Sequence, residues 1–156
     1  MTNSVRSFLG NNATYKIAVA FALISFVGLI DATYLAAKFF LGESPACSLL
    51  KGCESVTTSE YAVLFGVPVA LLGAVYYGCM LIGTFVYFDT KKESVLRVLS
   101  FFTIVGLIAS AWFMYLQLFV LYALCLYCIA SAASSTLLFI LGIIILLITA
   151  NKKQTL

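Results

Sequence analysis

The sequence predicts an all-α integral membrane protein, a bundle of four spanning helices, and three observations carry that prediction. The chain of 156 residues is 63% hydrophobic and 10% charged, where a soluble domain is about half apolar and about a quarter charged. Its apolar residues fall into four stretches, 17–41, 61–88, 95–121 and 126–150, each long enough for the ~20 residues that cross a hydrocarbon core. Its lysines and arginines collect at alternate ends of those stretches.

The first stretch, Ile17 to Leu41, is too long for a signal-peptide core and lacks a convincing cleavage site, so it reads as retained. A polar loop, 42–60, follows. Within it Glu54 to Glu60 places Val56 among polar residues, which predicts a short interfacial helix over the bundle. The second stretch carries Pro68 near its start, where a local adjustment of the helix is expected. A short charged link, 89–94, leads to the third stretch, and a short uncharged turn to the fourth. No internal repeat, low-complexity segment or appended soluble domain is visible, so residues 1–156 read as one domain.

With the N-terminus inside, Arg6, Lys16, Lys91, Lys92, Arg97, Lys152 and Lys153 all fall on the cytoplasmic side, and only Lys38 and Lys51 fall outside. The positive-inside rule then predicts a multi-pass protein with both termini cytoplasmic. The net charge of +3 is too small to argue for nucleic acid. There is no histidine, which removes Ser/His/Asp and Cys/His catalysis and histidine-ligated metal sites.

Five cysteines remain as the reactive side chains. Cys47 and Cys53 lie in the first outer loop, and Cys125 and Cys128 open the fourth helix as Cys-Leu-Tyr-Cys. Topology brings both pairs to the extracytoplasmic face, where disulfides persist. At a helix N-terminus the dipole and free N–H groups favour a thiolate on the first cysteine. The second lies about one turn deeper, within reach to resolve a mixed disulfide. Two static bridges are the plainer reading, but a structural bridge gains from closing a long loop, and C-x-x-C closes almost none. A four-cysteine zinc site would need all four sulfurs tetrahedral about one ion, as thiolates, in an oxidising compartment. Cys79 sits mid-helix without a sequence partner and reads as a small apolar residue.

A dithiol–disulfide relay needs an electron acceptor, and no haem, flavin or iron–sulfur signature is present. Cys128 is expected just inside the membrane boundary, within reach of a lipid-soluble quinone. Tyr61, Phe65, Tyr122 and Tyr127 are candidates for a flat apolar pocket there. Taken alone, the same aromatics read as an interfacial belt. Asp31 has two readings: an intramembrane functional acid, or an interfacial residue bonded to loop backbone. The small-residue run Ala130 to Ser135 reads as close helix packing.

Three blocks together resemble the vitamin K epoxide reductase family in its prokaryotic form: Gly28-Leu-Ile-Asp-Ala-Thr-Tyr-Leu35; Cys47 through Cys53 and Ser59 to Phe65-Gly-Val-Pro68; and Phe119 to Ser131 around the C-x-x-C. The resemblance implies a four-helix bundle around a quinone (ubiquinone, menaquinone or vitamin K-like). It implies that Cys47 exchanges with a thioredoxin-like (DsbA-like) protein, that Cys53 then attacks Cys125, and that Cys128 reduces the quinone. It places Ser59 near the quinone and Glu54 at a usual acidic position. Ala62 and Ala132 stand where vertebrate members carry asparagine and tyrosine, so a respiratory quinone is expected rather than the epoxide. Some prokaryotic relatives carry a fused thioredoxin-like domain; this sequence ends at Leu156, and a separate partner is expected.

The expected function is therefore a quinone-dependent thiol oxidase supporting disulfide formation. The other bacterial quinone-linked disulfide oxidase, also four-helical, places its C-x-x-C in the first outer loop. The competitor from another class is a structural four-span protein with disulfide-stapled outer loops, but such proteins carry larger outer domains.

Overall fold

A computed structural model describes the backbone of residues 2–45 and 52–154, and the side chains of 13–45 and 52–151. Cys47 lies outside the described residues. Four helices are long and apolar enough to cross a membrane: Ala13–Leu41, Val69–Thr90, Glu93–Val120 and Leu126–Asn151. They belong to α1 (Thr2–Leu41), α3 (Val69–Thr90), α4 (Glu93–Tyr115, continued by a π-helical turn, Leu116–Val120) and α5 (Leu126–Gln154). Each packs on two neighbours, α1 on α3 and α5, α4 on α3 and α5, so the four close into a ring. Large apolar side chains such as Phe26, Ile30, Phe101 and Ile108 face outward, as a lipid-facing surface requires.

Tyr77 holds three helices together. Its ring lies against Gly28 of α1 so closely that a Cβ there would fall 2.5 Å from Cε1. Its hydroxyl donates to the Ser131 carbonyl at 2.7 Å and lies 2.9 Å from Ser135 Oγ, both on α5. The small-residue run on α5 thus admits Tyr77 and satisfies its polar end. Elsewhere buried hydroxyls bond back along their own helix, Thr84 to Met80 and Ser100 to Leu96. In lipid that satisfies a group which water cannot reach.

The second spanning helix begins eight residues later than the hydropathy predicts, at Val69 rather than Tyr61. Residues 61–68 instead complete a 3-10 turn (Glu60–Ala62) and a two-stranded hairpin, β1 (Val63–Leu64) against β2 (Val67–Pro68). Phe65 and Gly66, at φ 52° and 81°, form the positive-φ corner that matches strand twist. Pro68 then precedes the helix, where its missing N–H costs nothing. The expected short helix in the preceding loop is present as α2 (Cys53–Thr57).

Candidate functional site

Cys125 is the N-cap of α5. Its carbonyl accepts the Ile129 N–H at 3.0 Å, and its sulfur accepts where a serine or aspartate oxygen usually would. The foremost bond to that sulfur comes from the Cys128 thiol, and the backbone N–H groups of Cys128 and Tyr127 add to it. These favour the thiolate. Burial and the Asp31 carboxylate oppose them, and the Cys125 thiol is held down to about 7. The thiolate therefore predominates above that pH and is lost as pH falls through it. Thiolate absorbance in the reduced protein should titrate with a midpoint near 7, and Cys128→Ala, which removes the leading bond, should raise it. An unmoved midpoint would assign the shift to another source.

Cys125 is fully buried, and Gln117 in the π-helical turn fixes its backbone. Gln117 Oε1 accepts the Cys125 N–H at 2.9 Å, and the Gln117 carbonyl accepts the Ala123 N–H at 3.1 Å. A buried N–H left without a partner costs about 1–3 kcal/mol, so this glutamine stabilises the turn that presents the cysteine.

Cys53 is 1% exposed and disulfide-bonded, whereas Cys79, Cys125 and Cys128 are free thiols. Its neighbour Gly52 presses on the segment that leads to Cys125. A Cβ on Gly52 would lie 2.7 Å from both the N and the O of Leu124. Only a glycine lets the two backbones come this close, and the contact brings the Cys53 loop onto the Cys125 turn.

Beneath α2 lies a cavity of about 380 Å³ between the four spanning helices, within the usual range for small-molecule sites. Its wall is mostly apolar, with Leu35, Leu72, Val105 and Phe113 among the lining residues. Cys128 and Asp31 lie on it, and α2 and the 3-10 turn cover it through Val56, Thr57, Ser59, Tyr61 and Ala62.

A profile of the vitamin K epoxide reductase family matches residues 19–143, a span that holds both cysteine pairs and the cavity. The chain belongs to the vitamin K epoxide reductase family. It is also similar to the thiol-disulfide oxidoreductase LTO1 of Arabidopsis thaliana, with 32% identity over 124 residues. That match covers 74% of this chain and 33% of LTO1, so the chain spans about a third of the length of that relative.

The residues proposed from sequence for a pocket in this family member divide. Ser59 and Tyr61 line the cavity, and the Ser59 hydroxyl donates to the Val56 carbonyl at 2.8 Å. Phe65 and Tyr122 do not line it. Each has positive φ, 52° and 47°, at the corner of a turn, and they are 98% and 85% exposed. Both are turned outward at the loop end of the bundle, as belt aromatics are. Tyr127 packs on Tyr34 with ring centroids 5.1 Å apart and likewise lies outside the cavity lining. Cys79 is exposed on α3 and does not line the cavity. Lys38, at the end of α1, pairs with Glu43 of the loop that follows.

Proposed function

We propose that this vitamin K epoxide reductase family member is a quinone-dependent thiol oxidase. It draws electrons from an extracytoplasmic thioredoxin-like protein and so supports disulfide formation. The observation that carries the reading is the Cys125/Cys128 pair: two free thiols joined by a hydrogen bond, the first a helix cap, the second on the wall of an apolar cavity. A scaffold stapled by two bridges has no use for such a pair.

The cavity fits a quinone headgroup. It is apolar, lies between four helices and is bordered by Cys128, and it contains buried polar atoms with no hydrogen-bond partner among the described residues. When bound, a quinone supplies an acceptor for two electrons and two protons. The protein's own groups do the rest. Cys47, on the resemblance, exchanges with the partner and opens the Cys47/Cys53 disulfide. Cys53 then attacks Cys125 of an oxidised Cys125–Cys128 pair, and Cys128 leaves as thiolate beside the cavity. Cys47 resolves the Cys53–Cys125 bridge, which restores the loop disulfide and leaves Cys125 and Cys128 as a dithiol facing the acceptor. Gly52 keeps the two cysteine segments in contact through these exchanges. Both termini and the Lys91/Lys92 turn lie on the cytoplasmic side, by the seven-to-two basic bias.

Purified protein given a reduced thioredoxin-like protein and a short-chain quinone should form quinol and oxidised partner one for one, under exclusion of oxygen. Absence of quinol, or equal rates from a protein with all four of these cysteines changed to serine, would refute the reading.

A further inference from the structure

Most polar side chains on the cavity are already committed. Thr57 Oγ1 donates to the Cys53 carbonyl at 2.8 Å and Ser59 to the Val56 carbonyl. Tyr77 bonds to Ser131 and Ser135, and Gln117 bonds to Cys125 and Phe113. Two lining groups are different. Asp31 Oδ2 on α1 and Tyr76 Oη on α3 are buried and have no hydrogen-bond partner among the described residues. A buried polar atom without a partner costs of the order of 1–3 kcal/mol, more for a carboxylate, and one such atom in a fold calls for an explanation. Here there are two, from different helices, on one apolar cavity.

The Tyr76 hydroxyl is also held in place. It rests against Gly106 of α4, where an added Cβ would fall 2.3 Å from Oη. Asp31, for its part, is close enough to Cys125 for its charge to act on that thiol. Ala62 and Ala132, which line the same cavity, offer no polar group of their own.

We propose that Asp31 and Tyr76 are the polar contacts for the quinone headgroup in this protein, Tyr76 donating to one ring oxygen and Asp31 serving the other as proton carrier. The inference rests on the proposed quinone-dependent function and deepens it. Oxidation of the Cys125/Cys128 dithiol forms one S–S bond and releases two electrons and two protons, the number taken up when a quinone becomes a quinol. Asp31 gives this transfer a defined route: its carboxylate oxygen takes a proton from the thiol side and passes one to the adjacent ring oxygen. Tyr76 keeps its own proton and positions the ring by donation, and the oxygen that it bonds takes the second proton from solvent as the quinol forms.

The test uses the full chain in detergent with a short-chain benzoquinone, reading equilibrium binding, and the carbonyl stretch of an isotope-labelled quinone by infrared difference spectroscopy. In the unaltered protein the bound carbonyl bands should shift to lower frequency, as hydrogen bonding requires. Tyr76→Phe should remove one shift and weaken binding about three- to tenfold, the range for one lost hydrogen bond. Asp31→Asn should keep binding within about threefold, since the amide can still donate, yet slow quinol formation by at least about tenfold, because an amide cannot carry the proton. Cys79→Ala should match the unaltered protein in both measurements. Binding with unshifted carbonyl bands would overturn the inference and leave the function standing, and needs no variant to establish. Unchanged affinity in Tyr76→Phe together with unchanged turnover in Asp31→Asn would do the same, the two polar atoms then being satisfied by water alone. Absence of any quinone binding would overturn the function and the inference together.

Discussion

Cys128→Ser is expected to reduce quinol formation to background with any reductant, the largest effect of any single change in the chain. Cys128 lines the cavity wall, whereas Cys125 does not. Cys125 is fully buried as the helix cap. Losing Cys128 therefore removes the sulfur that faces the acceptor, and a lone Cys125 cannot complete a two-electron oxidation by closing a local disulfide. The substitution is nearly isosteric, and serine keeps a donor for the Cys125 sulfur, so thermal unfolding should change little. Cys47→Ser should also abolish turnover with a protein partner, but by closing the entry rather than the exit. In that variant, a pre-reduced Cys125/Cys128 pair should still be oxidised by quinone in a single turnover. Equal single-turnover rates in Cys128→Ser and Cys47→Ser would contradict the division of roles.

The second large effect is expected from Gly52→Val. A Cβ at position 52 meets backbone atoms of Leu124 at 2.7 Å, and backbone cannot swing aside as a side chain tip can. The loop must lift, carrying Cys53 away from the Cys125 turn. Displacement of a reacting group by about 1 Å costs on the order of a hundredfold in rate, so partner-driven turnover should fall by about that factor. Quinone oxidation of the pre-reduced Cys125/Cys128 pair should be unaffected, because Gly52 does not line the cavity. A loss of both half-reactions would mean that Gly52 supports the bundle and not the contact between the two cysteine segments.

What the sequence made legible follows from the kind of physics each feature obeys. The four spans are set by hydropathy over ~20 residues, so they were readable to within a few residues wherever backbone and hydropathy agree. They disagree at 61–68: Tyr61, Val63, Leu64 and Phe65 are apolar enough to extend the span, while Gly66 and Pro68 impose a turn. The turn residues were in plain view and decided the local structure. Cysteine spacing and topology were enough to bring Cys53, Cys125 and Cys128 to one end of the bundle. Side-chain direction was not readable. Phe65 and Tyr122 carry the same apolar rings as residues inside, and only their positive φ turns them out. Asp31 could be noticed as an intramembrane acid, but its common cavity with Tyr76 depends on how α1 and α3 pack. Gln117 had one local sign, an amide near the end of an otherwise apolar span. The Gly52 contact had none, since it joins segments far apart in the chain.

Direct exchange between Cys53 and Cys125 is the step on which the relay depends, and mapping disulfides in Cys128→Ser protein isolated with thiols blocked at lysis reads it. With Cys128 absent, Cys125 has no sulfur on α5 to pair with, so its thiolate exchanges with the loop disulfide at Cys53 and releases Cys47, which the blocking step captures before it can attack back. A Cys53–Cys125 disulfide is expected as a major species, with Cys47 recovered as a blocked thiol. Recovery of Cys125 as a free thiol, with Cys53 bonded as it is in the unaltered protein, would contradict it.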